Sequence, residues 1–133
     1  MNKNLDIAFS IIIPVFNEGK NILNLINEIS ENLLNYNYEI ILYNDGSNDD
    51  TEKILNKLNN KKIKVINSKI NKGQSYAIYY AIKIAKSNTI VTIDGDGQND
   101  PKDIVNLLNL YIISPDILLV GGIRKKRRDT ILK

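Results

Sequence analysis

The sequence predicts an α/β fold in which helices cover both faces of a mostly parallel β-sheet. Short apolar runs rich in β-branched residues alternate along the chain with segments whose apolar residues recur at helical spacing. Glycine, acidic and amide residues follow several of these runs, as they do where strands end in turns. A length of 133 residues suits one domain, so we predict a single domain at residues 1–133.

Five strands are predicted, each four to six residues long and largely apolar, as strands buried on both faces are. They are Ser10–Val15, Glu39–Tyr43, Ile63–Ile66, Thr89–Ile93 and Ile117–Val120. Because helical segments separate them, the order is βαβαβαβαβ, which is typical of a parallel sheet with helices on both sides.

Four helices are predicted between these strands. The first is indicated by apolar residues at helical spacing, namely Ile22, Leu25, Ile26, Ile29 and Leu33. The second is the short segment Asp50–Leu58. The third follows Gly73 and is expected to bury Ala77, Ile78, Ala81, Ile82 and Ala85. The fourth has Asp100 as N-cap and Pro101 at its first position, with an apolar face of Ile104, Val105, Leu107, Leu108 and Tyr111.

Composition excludes several classes of chemistry. The chain has no Cys and no His, which removes disulfides, thiolate metal sites and histidine-based catalysis. The formal net charge is +3, but residues 124–128 carry five positive charges, so the remainder is net −2. The basic end at residues 124–133 is either solvated or binds an anion, such as phosphate or an acidic membrane surface. No nucleic-acid partner is expected, because no aromatic residues interrupt the basic run.

Polar residues follow four of the predicted strands. Asn17 and Glu18 follow the first strand, Asp45 the second, the Asp94–Asp96 segment the fourth and Arg124 the fifth. In open parallel sheets, ligands bind beyond the carboxyl ends of the strands. These residues therefore predict one ligand site at that edge of the sheet.

Asp94 and Asp96 are candidate ligands for a hard divalent cation, Mg²⁺ or Mn²⁺, because no softer ligand lies nearby. Gln98 is a candidate third oxygen ligand. The alternative is a solvated Asp-Gly turn. An EF-hand loop is excluded, since its sixth and twelfth positions would be Asn99 and Val105. A phosphatase-type aspartyl nucleophile resembling that of the haloacid-dehalogenase superfamily is disfavoured, because that motif follows the first strand.

Asp45 is placed in a loop at the same edge, where its carboxylate could accept hydrogen bonds from a ribose or a base. The alternative is an Asx-turn, a common use of Asp before Gly. The dinucleotide fingerprint Gly-x-Gly-x-x-Gly does not follow the first strand, and a Walker A motif is also missing. NAD, FAD and ATPase functions are therefore disfavoured.

Five motifs taken together resemble the inverting family 2 glycosyltransferases, which have the GT-A fold, a Rossmann-like nucleotide-diphospho-sugar transferase fold. The resemblance is closest to polyprenyl-phosphate sugar transferases of the dolichol-phosphate mannosyltransferase type. It covers nearly the whole chain and rests on residues 13–18 (IPVFNE), 44–47 (NDGS), 71–73 (NKG), 94–98 (DGDGQ) and 120–124 (VGGIR).

The resemblance implies a role for each matching residue. The nucleotide-sugar pocket would be lined by Pro14, Phe16, Glu18 and Asp45. Asp94 and Asp96 would form the DXD-type metal site and serve catalysis, with Gln98 beside them as a metal and donor ligand, and Arg124 would bind phosphate. Two positions depart from the family pattern: Phe16 stands where Tyr is frequent, and Asn44 where some members have Asp.

The expected function is transfer of a sugar from a UDP- or GDP-sugar to polyprenyl (dolichyl or undecaprenyl) phosphate, with inversion. Relatives continue beyond this length, so we expect a C-terminally truncated domain that lacks acceptor-binding elements. The alternative is a non-catalytic nucleotide-sugar-binding module or an inactive fragment. No apolar stretch approaches the roughly 20 residues that span a bilayer, so a cytoplasmic protein is expected, either soluble or peripheral on the cytoplasmic membrane face.

Overall fold

The computed structural model describes residues 7–122 and shows a four-stranded parallel sheet with the strand order β3-β2-β1-β4. The strands are β1 (Phe9–Val15), β2 (Tyr38–Asp45), β3 (Ile63–Ser68) and β4 (Ile90–Thr92). The helices are α1 (Ile22–Asn32), α2 (Thr51–Asn56), α3 (Gln74–Ile84) and α4 (Lys102–Ile113). The predicted parallel α/β architecture is confirmed.

Alternating side chains of the central strands divide the core into two layers. Ile11, Ile13 and Leu42 face the larger layer, which is covered by α1, α2 and α4. Ile12 and Ile41 face the opposite side, where they pack against α3. Because consecutive strand residues point to opposite faces, both faces of β1 and β2 must be apolar, which explains their unbroken apolar runs.

The two helical layers are built from different residues. α1 buries the large side chains Ile22, Leu25, Ile26 and Ile29. α3 buries only Ala77 and Ala81, with Ala85 directly after it. Ile82 was predicted to share that buried face, but it is 39% exposed, so this prediction is wrong. The alanines, with the partly buried Ile78 and Ile84 beside them, already cover the contact with the sheet, and Ile82 lies outside it.

The fifth strand predicted at residues 117–120 is not formed. Leu118 and Leu119 are 92% and 85% exposed, and this segment has no strand pairing within residues 7–122. A strand needs a neighbour whose main-chain N–H and C=O groups it can pair with. The last strand of the sheet, β4, is only three residues long and is paired with β1. The apolar composition of residues 117–120 therefore does not suffice to make them a strand.

The other boundaries differ from the prediction by small amounts. β2 extends through Asn44 and Asp45, so Asp45 is the last residue of a strand and not part of a loop. At α4, Pro101 occupies the N-cap position and Lys102 is the first helical residue, one residue later than predicted. Oδ1 of Asp100 accepts a hydrogen bond from the amide of Lys102 at 3.0 Å, so Asp100 still caps an amide of the first turn. Helix limits commonly vary by a residue or two with the criterion used.

Two glycines with nearly equal φ angles allow a test of packing at the end of β2. Gly46 (φ 73°) and Gly97 (φ 75°) both have left-handed backbones. A Cβ atom on Gly46 would lie 2.7 Å from the amide nitrogen of Asn71, whereas one on Gly97 would have no neighbour closer than 3.9 Å. The turn after β2 is therefore closed against the loop before α3.

We predict that Gly97→Ala lowers the free energy of unfolding by about 1–2 kcal/mol, the cost of a left-handed backbone for a residue with a Cβ. Gly46→Ala is expected to cost about 1–3 kcal/mol more, because the added methyl group also overpacks a closed contact. Urea denaturation of both variants measures the difference. Equal losses would show that the contact between Gly46 and Asn71 relaxes freely.

Candidate nucleotide-sugar and metal site

The loop after β1 is held against the loop after β2 by side chains that bind main-chain amides. Asn17 has a left-handed backbone (φ 54°), and its Oδ1 accepts a hydrogen bond from the amide of Asn48 at 2.9 Å. The amide of Asn17 donates to Oγ of Ser47 at 2.9 Å, and that of Glu18 donates to Oγ1 of Thr51 at 3.0 Å. These bonds fix the position of Glu18 at the edge of the sheet.

Asp49 completes this network. The hydroxyl and the amide of Thr51 both donate to its Oδ1, and the amide of Gly19 donates to its Oδ2 at 3.3 Å. These donors, the Thr51 hydroxyl first, hold the pKa of the Asp49 carboxyl below its usual range, because they stabilise the charged form. Asp49 therefore has a structural role in joining the two loops.

Asp45 lies at the end of β2 and is only 4% exposed. Its Oδ1 accepts a hydrogen bond from the amide of Lys72 and its Oδ2 one from the amide of Gly73, both at 2.8 Å. The Asx-turn considered for Asp45 is not formed. The neighbouring Asn44 bonds the turn instead, because its Oδ1 accepts from the amide of Ser47, three residues later, at 3.2 Å. Asp45 thus anchors the loop that leads into α3.

The Asp94–Asp96 segment lies against the end of β1. A Cβ atom on Gly95 would be 3.2 Å from the carbonyl oxygen of Pro14, so glycine allows the close approach of the two backbone segments. Oδ1 of Asp94 accepts a hydrogen bond from the Gln74 side-chain amide at 2.9 Å. Oδ1 of Asp96 accepts one from the amide of Gln98 at 3.0 Å. Within residues 7–122, the second oxygen of each carboxylate accepts no hydrogen bond.

These segments surround an open cleft of about 370 Å³. It lies beyond the carboxyl ends of β1 and β4, where the strand order reverses direction, which is the usual ligand position in such sheets. Its lining residues are Pro14, Val15, Phe16, Glu18, Asp45, Asn71, Gly73, Gln74, Asp94, Gly95 and Asp96.

The cleft brings together six of the residues singled out from the sequence: Pro14, Phe16, Glu18, Asp45, Asp94 and Asp96. Gln98 is exposed and is not among the lining residues, although its amide binds Asp96. Arg124 lies outside the described residues. Asn71 belongs to one of the five sequence motifs but was given no role, and Gln74 was not singled out from the sequence. Gln74 could have been identified, because it follows Gly73 and begins a helix at the same edge of the sheet.

The charge of the lining favours a cation. Four carboxylates line the cleft, those of Glu18, Asp45, Asp94 and Asp96, and no Lys or Arg is among the lining residues. Their oxygen chemistry suits Mg²⁺ or Mn²⁺. Across residues 7–122, however, no group of three or more acidic, His or Cys side chains is placed to hold an ion. A cation here would be bound by the Asp94–Asp96 pair and complete its shell with water and ligand oxygens.

None of the helices in the described part of the chain is long and apolar enough to cross a membrane. This observation agrees with the hydropathy of the sequence.

Similar sequences include lipid-phosphate sugar transferases. The dodecaprenyl-phosphate galacturonate synthase of Rhizobium johnstonii is 31% identical over 128 residues, which cover 92% of this chain and 38% of the relative. The undecaprenyl-phosphate 4-deoxy-4-formamido-L-arabinose transferase of Aeromonas hydrophila is 34% identical, over 96% of this chain and 40% of the relative. The chain thus spans about two fifths of the length of these relatives.

Similar solved structures include GT-A glycosyltransferases. TarS of S. aureus in complex with UDP-GlcNAc has a TM-score of 0.61 and 27% identity, over 78% of this chain and 32% of that chain. The mannosyltransferase PcManGT of Pyrobaculum calidifontis, in complex with GDP-Man and Mn²⁺, has a TM-score of 0.60, over 66% of this chain and 27% of that chain. Its 20% identity supports the fold alone.

The comparison with protein families agrees with these similar sequences and structures. Residues 10–132 match the family described as Glycosyl transferase family 2, so the match begins in β1 and includes every segment that surrounds the cleft. The order β3-β2-β1-β4 and the cleft beyond β1 and β4 agree with the GT-A fold of the structural neighbours. The chain therefore belongs to glycosyl transferase family 2.

Proposed function

We propose that this chain is the donor-binding part of a glycosyltransferase that moves a sugar from a nucleoside-diphosphate sugar to a polyprenyl phosphate with inversion. The observation that carries the proposal is the cleft itself. It gathers an exposed aromatic ring, a carboxylate pair and main-chain groups of three strand ends in one place. These are the groups needed to hold a base, a metal-bound diphosphate and a sugar.

The nucleotide would be held by the β1 and β2 side of the cleft. Phe16 is 45% exposed, and its ring offers an apolar face on which a base can stack. The carboxylate oxygens of Asp45 each accept one amide hydrogen bond and retain a lone pair for a ribose hydroxyl or a base N–H. TarS binds UDP-GlcNAc and PcManGT binds GDP-Man in this fold, which supports a nucleotide-sugar ligand here.

The divalent cation, Mg²⁺ or Mn²⁺, would be held by Asp94 and Asp96. Each has one carboxylate oxygen that accepts no hydrogen bond from the described residues, and Gln98 lies two residues after Asp96. When bound, the cation supplies charge stabilisation for the departing nucleoside diphosphate. Gln74 contributes by fixing the rotamer of Asp94, so that the carboxylate is oriented before the ligand arrives. The Mn²⁺ in the PcManGT complex supports this assignment.

Polyprenyl phosphate is proposed as acceptor because the similar sequences are named for such acceptors. A phosphate is already ionised at neutral pH, so its attack on the sugar needs no general base from the protein. Attack from the face opposite the leaving diphosphate inverts the anomeric centre. Arg124, which lies outside the described residues, is proposed to bind the donor or acceptor phosphate through its guanidinium.

The second candidate function is a non-catalytic nucleotide-sugar-binding module, which is favoured because the groups that line the cleft all fit donor binding. Both functions require donor binding, but only the first requires transfer. Incubation of the chain with UDP- or GDP-sugars, undecaprenyl phosphate and Mn²⁺ distinguishes them. Formation of a glycosylated lipid phosphate supports the enzyme, whereas donor binding without product supports the module.

The metal role makes a testable prediction. Binding of UDP or GDP, measured by calorimetry, should require Mg²⁺ or Mn²⁺ and be lost in EDTA. Asp96→Asn should weaken metal-dependent binding by about 1–3 kcal/mol, the scale for loss of a charged partner. Asp100→Asn is the matched control: it removes the same charge nearby, and Asn still caps α4. Equal affinity with metal and with EDTA would refute the metal site.

Asp45 combines a structural and a ligand-binding role, and the two can be measured separately. Asp45→Ala leaves the amides of Lys72 and Gly73 without their acceptors, so it should lower the free energy of unfolding by about 2–4 kcal/mol. Asp45→Asn keeps one acceptor but turns its NH2 group towards the other amide, so it should lose about half as much stability as Asp45→Ala. It places an amide where a base or ribose donates, so its nucleotide affinity should still fall about tenfold.

Chemical denaturation and nucleotide titration of both Asp45 variants provide the measurement. If Asp45→Asn binds nucleotide as tightly as the parent chain, Asp45 serves the loop alone and has no contact with the donor.

A further inference from the structure

We propose that the outward surface of α3 docks on an anionic lipid bilayer. α3 contacts the sheet through its alanines and the partly buried Ile78 and Ile84, whereas its opposite side is exposed and combines aromatic, aliphatic and basic side chains. We call this surface the α3 face. Its residues, including one lysine that precedes the helix and one that follows it, are Lys72, Tyr76, Tyr79, Ile82, Lys83 and Lys86.

The α3 face lies in a strongly positive part of the chain. Residues 53–93 contain nine Lys and no Asp or Glu, whereas residues 7–52 contain one Lys and eight acidic residues. All nine lysines are exposed. Within residues 7–122, the single ion pair is that of Lys53 with Asp50 at 3.9 Å. The positive charge is therefore not neutralised locally, and it complements an anionic surface.

The edge strand adds charge to the same side of the sheet. Lys64 of β3 is in register with Ile41 of β2. Residues paired across neighbouring strands point to the same face, and Ile41 packs in the layer covered by α3. Lys64 therefore points to the side of the sheet on which α3 lies, and it extends the basic surface towards the sheet edge.

The aromatic and aliphatic residues of the α3 face suit the boundary between headgroups and acyl chains. Tyr79 and Ile82 are 56% and 39% exposed. Tyrosine is enriched at membrane interfaces because its ring is apolar and its hydroxyl is polar. The Nζ atom of Lys83 lies 4.5 Å from the centre of the Tyr79 ring, so the charge is held beside an apolar group. This is the composition of an interfacial amphipathic helix.

Two other occupants fit the α3 face less well. Nucleic acids bind aromatic residues by stacking bases on open rings. Lys72 and Lys83 each cover one face of a ring, those of Tyr76 and Tyr79, at 4.6 and 4.5 Å from the centres. A second copy of the chain would bring two lysine-rich surfaces together, and like charges in contact repel.

Docking in this manner would place the cleft beside the bilayer. Gly73 and Gln74, at the start of α3, line the cleft, and Lys72 directly precedes them. A phosphate acceptor carried by a lipid would then lie close to the cleft. This consequence rests on the proposed function, whereas docking on lipid requires neither nucleotide nor metal.

Vesicle partitioning of the full 133-residue chain tests the proposal, using phosphatidylcholine vesicles with and without phosphatidylserine. Binding is expected only with phosphatidylserine. Lys83→Gln/Lys86→Gln should lower the partition coefficient about 25-fold, since each lysine near an anionic surface contributes about fivefold. Lys53→Gln/Lys57→Gln is the matched control, because it removes equal charge from the α2 side of the sheet, and it should change partitioning less than about twofold.

The exposed apolar residues require a separate variant. Tyr79→Ser/Ile82→Ser keeps every charge. Its partition coefficient should therefore fall furthest below that of the parent chain at high salt, where charge is screened and the apolar contribution dominates. Thermal melting checks that each variant is folded. Nucleotide titration of the same variants should be unchanged, so a failure of lipid docking is distinguished from a failure of donor binding.

Three outcomes would overturn the proposal. The parent chain could fail to bind phosphatidylserine vesicles. The α3 and α2 double variants could lose equal affinity, which would mean that net charge alone drives binding. Lastly, Lys83→Gln/Lys86→Gln could abolish binding of a mixed-sequence single-stranded RNA while vesicle partitioning stays unchanged, which would assign the α3 face to nucleic acid.

Discussion

The pairing of β1 with strands on both sides positions everything else in this domain. β1 pairs in parallel with β2 along its whole length and with β4 over three residues. Parallel pairing places the carboxyl ends of all three strands at one edge of the sheet. The middle of each paired strand is apolar on both faces, so polar side chains lie towards the strand ends. Ser10 and Glu39 form a buried hydrogen bond near the amino ends of β1 and β2, and the residues of the cleft lie at the carboxyl ends. The cleft is the direct consequence of that arrangement.

Bringing three strand ends together creates loops whose main-chain amides need acceptors, and side chains of the motif residues provide them. Asn17 and Asp49 bind amides between the loops after β1 and β2, and Asp45 binds two amides of the loop before α3. A buried carboxylate such as Asp45 is tolerable only with such partners. Asp94 and Asp96 lie at the more open side and each keep one oxygen without a described partner. Position in the sheet therefore separates anchoring carboxylates from those available to a cation.

Much of this arrangement could be predicted from the sequence, because apolar periodicity and strand-end motifs are local signals. The prediction failed where the outcome depends on distant partners. The apolar run at residues 117–120 has strand composition but no strand beside it within residues 7–122. Asp45 was assigned to a loop because residues 44–47 have the composition of a turn. Its hydrogen bonds come from residues 27 and 28 positions later, which spacing does not reveal. Gln74 was missed for the same reason, since its partner Asp94 is 20 residues away.

The composition of α3 is the feature that packing within the domain does not explain. A helix that only covers a sheet places large apolar residues inside and polar residues outside, as α1 does with Ile22, Leu25, Ile26 and Ile29. α3 instead buries alanines, with Ile78 and Ile84 partly buried beside them, and leaves Tyr79 and Ile82 in the solvent. Lysine-rich composition alone would account for the charge but not for these two side chains. Tyr79 and Ile82 belong to neither core cluster, and exposed apolar groups surrounded by polar residues are typical of an interaction surface. The basic residues around them restrict the partner to an anionic one, and the position of α3 places it next to the cleft.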